Sequence, residues 1–143
     1  MSKRAKAGLG KTIPALPVAN VTDAVAHYRE RFGFEAVHQD SGFAVLARDD
    51  VLVHLWESSD EAWHSREDFA DRPVCSGAES FLAGTASCRI ETEDVDALFE
   101  EFGPRGVLHY TVTGVTDTDF GTREFATVDL DGNLLAFFRW RRD

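Results

Sequence analysis

Cysteine is nearly absent: Cys75 and Cys88 are the two in 143 residues, they form no CxxC pair, and neither has zinc-site spacing to any of the five histidines. That excludes a disulfide scaffold or a small zinc module, and both thiols are expected to be free. No apolar run reaches the roughly 20 residues that cross a bilayer, and the opening residues lack the apolar segment of a secretory signal, so a cytoplasmic protein is expected. Cationic residues are scarce where they would matter. Seven of the 15 lie at the two ends (Lys3, Arg4, Lys6, Lys11, Arg139, Arg141 and Arg142), leaving eight against 24 acidic residues in 12–138. Such a body repels nucleic-acid phosphates and attracts cationic ligands.

What is present is one pattern used twice. With 43% hydrophobic residues, the chain can bury the core of one domain. Residues 1–11 have the composition of a flexible basic arm. Residues 5–12 end in Gly-Lys-Thr, but they lack the first glycine of a phosphate loop, and Pro14 and Pro17 forbid the helix that would hold the phosphate. Residues 12–18 suit an edge or exchanged strand, where proline is tolerated. Asn20 or Thr22 caps a helix carrying Val21, Val25, Tyr28 and Phe32 at helical spacing, which Gly33 ends. Strands follow at 34–39, 43–48 and 51–57, the last two joined by a turn at Asp49-Asp50.

The pattern then restarts. A strand is expected over 85–91, followed by a Thr92-capped helix with Val95, Leu98, Phe99 and Phe102 on one face, stopped at Gly103-Pro104. A strand over 107–112, a Thr/Asp/Gly-rich loop over 113–121 and a hairpin turning at Asp131-Gly132 complete it. Between the copies lies a long segment, 58–84, with room for a short helix near 61–66. The fold class is therefore α+β: two βαβββ modules (12–57 and 85–140) in a single domain over 12–140, forming a cupped mixed sheet.

Several segments carry a specific resemblance: residues 13–21, residues 24–34, Arg48-Asp49-Asp50-Val51, Phe120-Gly121-Thr122-Arg123-Glu124-Phe125 and Asp129-Leu130-Asp131-Gly132-Asn133. On these residues the chain resembles the glyoxalase/bleomycin-resistance superfamily, the vicinal oxygen chelate fold, and within it the bleomycin-binding resistance proteins. The resemblance implies a homodimer that exchanges its first strand, with Pro14 matching the proline of that strand, and clefts between the subunits. The superfamily's metal enzymes place ligands on the first and last strand of each module, here Ile13, His54, Thr85 and Ala136. Only His54 can bind a metal, and a stable site needs three or four converging donors. Glu124 could add a carboxylate, whereas strand register puts Glu57 on the face opposite His54. No cofactor and no metal are therefore expected, and His54 is read as a hydrogen-bonding lining residue.

Strand alternation lines the cup with Leu52, His54 and Trp56; with Thr85, Ser87 and Arg89; and with Leu134, Ala136 and Phe138. Aromatic rings and hydroxyls suit a flat, polar molecule held by stacking and hydrogen bonds. In the bleomycin binders a tryptophan before the Gly-x-Arg-Glu-Phe strand stacks on the drug's bithiazole, and Phe120 stands in its place. Phe34, Phe43, Trp56 and Trp63 are candidate stacking partners, and Asp60, Glu61 and Asp119 candidate contacts for the drug's cationic tail. The resulting expectation is a non-catalytic binder of a bleomycin-type cationic antibiotic, metal-free or metal-loaded, with no nucleic-acid or membrane partner. A metal-dependent lyase or dioxygenase, and a binder of another small molecule, are the alternatives.

Overall fold

The first module runs β1 (Ala15–Val18), α1 (Val21–His27), a π-helical turn at Tyr28–Phe32, β2 (Glu35–Gln39), β3 (Phe43–Arg48) and β4 (Val51–Glu57). The second runs β5 (Ser87–Glu91), α2 (Val95–Phe102), a 3-10 turn at Gly103–Arg105, β6 (Thr116–Asp117), β7 (Thr122–Val128) and β8 (Leu134–Trp140). This computed structural model describes residues 6–58, 65–73 and 82–142. Asp60, Glu61, Trp63, Cys75 and most of the helix expected near 61–66 lie outside the described residues.

Each module forms a four-stranded mixed sheet with the same topology, β1-β4-β3-β2 and β5-β8-β7-β6. The first strand of each lies parallel to the last, Ala15 opposite His54 in one and Ser87 opposite Leu134 in the other. The repeated pattern in the sequence is thus a repeated topology. In the described chain β1 pairs with β4 of its own module, so the partner of this strand is intramolecular here.

Local chemistry explains most boundaries. Asn20 caps α1 by accepting from the Asp23 amide at 2.9 Å, and Gly33, at φ 76°, ends the π-helical turn in the left-handed conformation. Two expectations need correction. The cap of the second helix is Asp94, not Thr92, because the Asp94 carboxylate accepts from the Ala97 amide at 3.0 Å. The helix does end at Gly103-Pro104 as expected: α2 closes at Phe102 with Gly103 as its C-cap, and Pro104 sits in the first positions of the 3-10 turn that follows, which Gly106 at φ 70° ends. The strand expected over 107–112 is reduced to a single bridge between Leu108 and Thr127. The backbone pairs with β7 through Val107 and His109 and then leaves it. The His109 ring accepts from the Thr111 amide at 3.2 Å, a local bond that competes with the ladder and turns the chain. Two-residue β6 takes the outer position instead.

Alternation divides each sheet into a helix face and an open face. Val53, Leu55, Leu135 and Phe137 turn to the helices and are almost completely buried. One continuous core joins both modules, with Phe32 edge-on to Phe102 at 5.3 Å and stacked near Phe137 at 6.4 Å. Beside it, Arg48 donates twice to Glu101 at 2.8 and 2.9 Å and once to the Phe32 carbonyl at 2.7 Å. That bidentate pair crosses from β3 to α2 and holds the Glu101 carboxyl below its usual range.

On the sheet side the modules are tied by the Asp129–Asn133 turn. Buried Asn133 donates to the Pro17 carbonyl at 2.8 Å and to Asp129 at 2.9 Å, and accepts from the Ala86 amide at 3.0 Å. The Tyr28 hydroxyl donates to Asp129 at 2.8 Å from below, and burial pushes the Tyr28 hydroxyl well up in pKa. Asp131 accepts from the Ala19 amide at 3.1 Å. Gly84 completes the joint: at φ 79°, an added Cβ would lie 2.0 Å from the Asp131 carbonyl oxygen, so only glycine fits. The motif that looked like a simple hairpin turn is therefore the weld between the halves.

Candidate functional site

The open face of the two sheets carries the candidate site. In the first module, β3 and β4 bring Phe43, His54 and Trp56 together because Phe43 is the register partner of Trp56 and Val45 of His54. Phe43 meets His54 edge-on at 5.0 Å and Trp56 at 4.7 Å, and His38 from β2 leans on Phe43 at 5.9 Å. Trp56 remains 43% exposed despite its size. The Asp40 carboxylate beyond His38 accepts from the Gly42 amide and sits 3.4 Å from His38, and the first of these contacts lowers its pKa.

In the second module, Phe120 and Trp140 are more than half exposed. Phe120 immediately precedes Gly121, whose φ of 93° turns the chain into β7. Phe138 stands edge-on to Trp140 at 5.5 Å. Arg89 reaches across from β5 with its guanidinium 5.0 Å from the Phe138 ring centre and 5.6 Å from that of Phe120. Glu124 on β7 holds Arg89 at both nitrogens of the fork, and the Thr122 hydroxyl donates to the same carboxylate at 2.7 Å. The Arg89 contact first, and then Thr122, hold the Glu124 carboxyl below its usual range.

The expected site residues divide clearly. Phe43, His54, Trp56, Ser87, Asp119 and Phe120 all lie on the open face or at its rim, with Ser87, Asp119 and Phe120 exposed. Phe34 does not. It is 2% exposed and packs edge-on against Tyr28 at 5.9 Å on the helix face, so it is a core residue. Its position directly after Gly33 decides this, because the left-handed turn points the next side chain back under the helix. Asp60 and Trp63 lie outside the described residues. Pro14 precedes β1, and its carbonyl accepts from the His54 amide at 2.9 Å, continuing the parallel pairing. Trp140 was missed as a site residue, and Glu124 was weighed only as a metal donor. Alternation extended two residues beyond Phe138 would have found the tryptophan, but the Arg89–Glu124 pair spans 35 residues and two strands and left no signal in spacing.

The strand positions that hold metal in the superfamily's enzymes do not fit a metal here. Ile13 and Ala136 have no side-chain donor atom, Thr85 spends its hydroxyl on the Leu82 carbonyl at 2.8 Å, and these positions give His54 no second strong ligand. Glu124, the nearest substitute by sequence, is already occupied by Arg89. Among the described residues no three His, Cys, Asp or Glu side chains converge on one point.

Comparison with known proteins agrees with this architecture. The family described as the Glyoxalase/Bleomycin resistance protein/Dioxygenase superfamily matches residues 12–137. A "Bleomycin resistance protein" of Geobacillus stearothermophilus and one of Staphylococcus aureus are each 49% identical over 129 residues, spanning 90% of this chain and 96% of theirs. Among solved structures, the bleomycin-binding protein of bleomycin-producing Streptomyces verticillus, complexed with copper(II)-bleomycin, superposes with a TM-score of 0.70 at 25% identity, covering 92% of this chain and 97% of that one. The bleomycin resistance determinant encoded on the transposon Tn5 shares the fold, with a TM-score of 0.67 at 21% identity over 94% of this chain and all of that one. With the repeated module, the open face and these relatives in agreement, the chain belongs to the Glyoxalase/Bleomycin resistance protein/Dioxygenase superfamily.

Proposed function

We propose that this protein binds a bleomycin-type cationic glycopeptide and holds it away from its target without breaking or forming a bond. The observation that carries the proposal is the open face itself: Phe120, Trp140 and Trp56 exposed on the two sheets and the loop before β7, with no three metal-ligating side chains converging among the described residues. Exposed aromatic rings favour the flat, stacked part of such a drug. The net charge of −10 favours its cationic part and speeds encounter. Stacking then slows release, which matters more for affinity than the rate of capture. Sequestration of this kind needs tight binding and enough protein, not turnover.

The same face supports a homodimer. Leu52, Trp56, Phe120 and Trp140 leave more apolar ring and chain in water than a lone module needs, and a second copy would cover part of it. A cleft of about 960 Å³ lies between residues 10–14 and the 88–91 edge of β5. That open edge can accept a strand, and Pro14 marks the segment that would cross over in an exchanged dimer.

Calorimetric titration of metal-free and copper-loaded bleomycin into the purified protein tests the function. Sub-micromolar binding at one drug per chain, weakened in Phe120→Ala, is the expected outcome. Absence of heat together with unchanged tryptophan fluorescence would overturn it. Stoichiometric metal in protein purified without chelator would favour a lyase or dioxygenase instead.

A further inference from the structure

We propose that the Arg89–Glu124 pair is a positioning device that fixes the Phe120 ring as a ready-made stacking surface. The inference rests on the function proposed above. Phe120 is 59% exposed and sits in the loop before β7. On its inner side lies one planar group, the Arg89 guanidinium, 5.6 Å from the ring centre. The guanidinium also lies 5.0 Å from the Phe138 ring centre, and Trp140 meets Phe138 edge-on at 5.5 Å. Trp140, Phe138, Arg89 and Phe120 therefore form one ladder across β8, β5 and the loop before β7.

Glu124 gives the ladder its rigidity. A lone arginine over a ring can rotate about four torsions, whereas both arms of this fork are held by one carboxylate, which Thr122 anchors in turn. Thr122 is 1% exposed, so the anchor is part of the folded framework. The pair also settles a charge problem. An arginine in the drug-facing surface would repel a cationic ligand, and Glu124 at the other end of the fork neutralises it locally. The arrangement keeps the planar shape of arginine while removing its charge from the ligand's view. Holding a contact surface in its bound geometry lowers the ordering cost of binding.

Lysine cannot substitute here. It carries the charge but not the planar fork, so it can neither lie flat against the rings nor grip both carboxylate oxygens. Arg89→Lys is accordingly expected to weaken bleomycin binding about two- to fivefold, the range a solvent-exposed cation–π contact covers. Glu124→Gln is expected to weaken it further, because Arg89 then loses one of its two acceptors and faces the drug with its full charge. A double-mutant cycle separates positioning from mere structure: on a Phe120→Ala background, Arg89→Lys should cost nothing more.

A second measurement needs no ligand. In the free protein, the Arg89 Nε–Hε proton resonance should be shifted upfield by the flanking rings, and Phe120→Leu should move it back toward the random-coil position. An Arg89 signal indifferent to Phe120→Leu would overturn the ladder whether or not the protein binds bleomycin. Independent, additive losses from Arg89→Lys and Phe120→Ala would overturn the positioning role even if the drug binds tightly. A ring-shifted Arg89 signal in a protein that ignores bleomycin would leave the ladder standing and remove only the choice of drug.

Discussion

Replacing Asn133 with alanine tests the weld between the two modules. Asn133 is fully buried, and its side chain makes three hydrogen bonds, one to Asp129 within the β7–β8 turn and two that join the turn to β1 and to the start of β5. Truncation leaves unequal gaps. The Pro17 carbonyl keeps the Gly84 amide at 3.2 Å, and Asp129 keeps the Tyr28 hydroxyl at 2.8 Å, so those two acceptors are weakened rather than orphaned. The Ala86 amide loses its acceptor outright. One orphaned donor costs about 1–3 kcal/mol and each weakened acceptor about 0.5–1 kcal/mol, giving about 3 kcal/mol in all. Against a typical total of about 5–15 kcal/mol this is a severe change, worth about 10 °C in melting temperature for a chain of this size. Urea unfolding followed by circular dichroism, at unchanged m-value, measures it.

Asn133→Asp sharpens the same test because volume and shape are kept. The aspartate can still accept from Ala86, but it places a second carboxylate where the amide now meets Asp129 at 2.9 Å. At pH 7 the variant should be at least as unstable as the alanine one, and it should recover partly on acidification, when a proton restores the missing donor. A loss below about 1 kcal/mol for Asn133→Ala, or an Asn133→Asp protein as stable as the parent at pH 7, would refute the reasoning.

Three further outcomes are expected. Glu101→Gln should destabilise the protein by about 1–2 kcal/mol at neutral pH, since it weakens a partly buried bidentate contact with Arg48. Because the Glu101 carboxyl is held below its ordinary value, that contribution is complete above about pH 4.5 and is lost as pH falls through the lower folded value. Denaturation curves of the two proteins should therefore converge in acid. Cys88, pushed up to about 11 by burial and then by Asp129, should alkylate with iodoacetamide at pH 8 far more slowly than an open thiol, as read by mass spectrometry of its peptide. Phe34→Ala and Phe43→Ala should part company: the first removes a ring 2% exposed and should cost about 3–5 kcal/mol of stability, while the second should leave stability much closer to the parent and weaken drug binding in calorimetry.

Much of the fold was legible in the chain. Period-two alternation placed β3 and β4 to the residue, and the same alternation sorted the open face from the helix face on β4, β5 and β8, because a buried face tolerates no one-residue slip. Boundaries that depend on competing local bonds were less legible. His109 and Thr111 divert a stretch of strand-forming residues, and Asp94 takes the cap from Thr92, through side-chain bonds that no hydropathy pattern records. Phe34 was a candidate stacking residue at the start of a strand, and only its burial behind the turn at Gly33 shows that it belongs to the core.

The sequence by itself determined the doubled module, the two faces of each sheet, the acidic surface and the loss of metal donors. All of these follow from residue type and from periodicities shorter than one element. The tertiary structure alone decided that Asp129 and Asn133 weld the halves and that Arg89, Glu124 and Phe120 form one unit. Arg89 lies 31 residues from Phe120 and 35 from Glu124, and Asn133 lies 116 from Pro17, all brought together by strand order across the joint. Hydrogen bonds and ring contacts act over a few ångströms in space, and separation along the chain carries no trace of them.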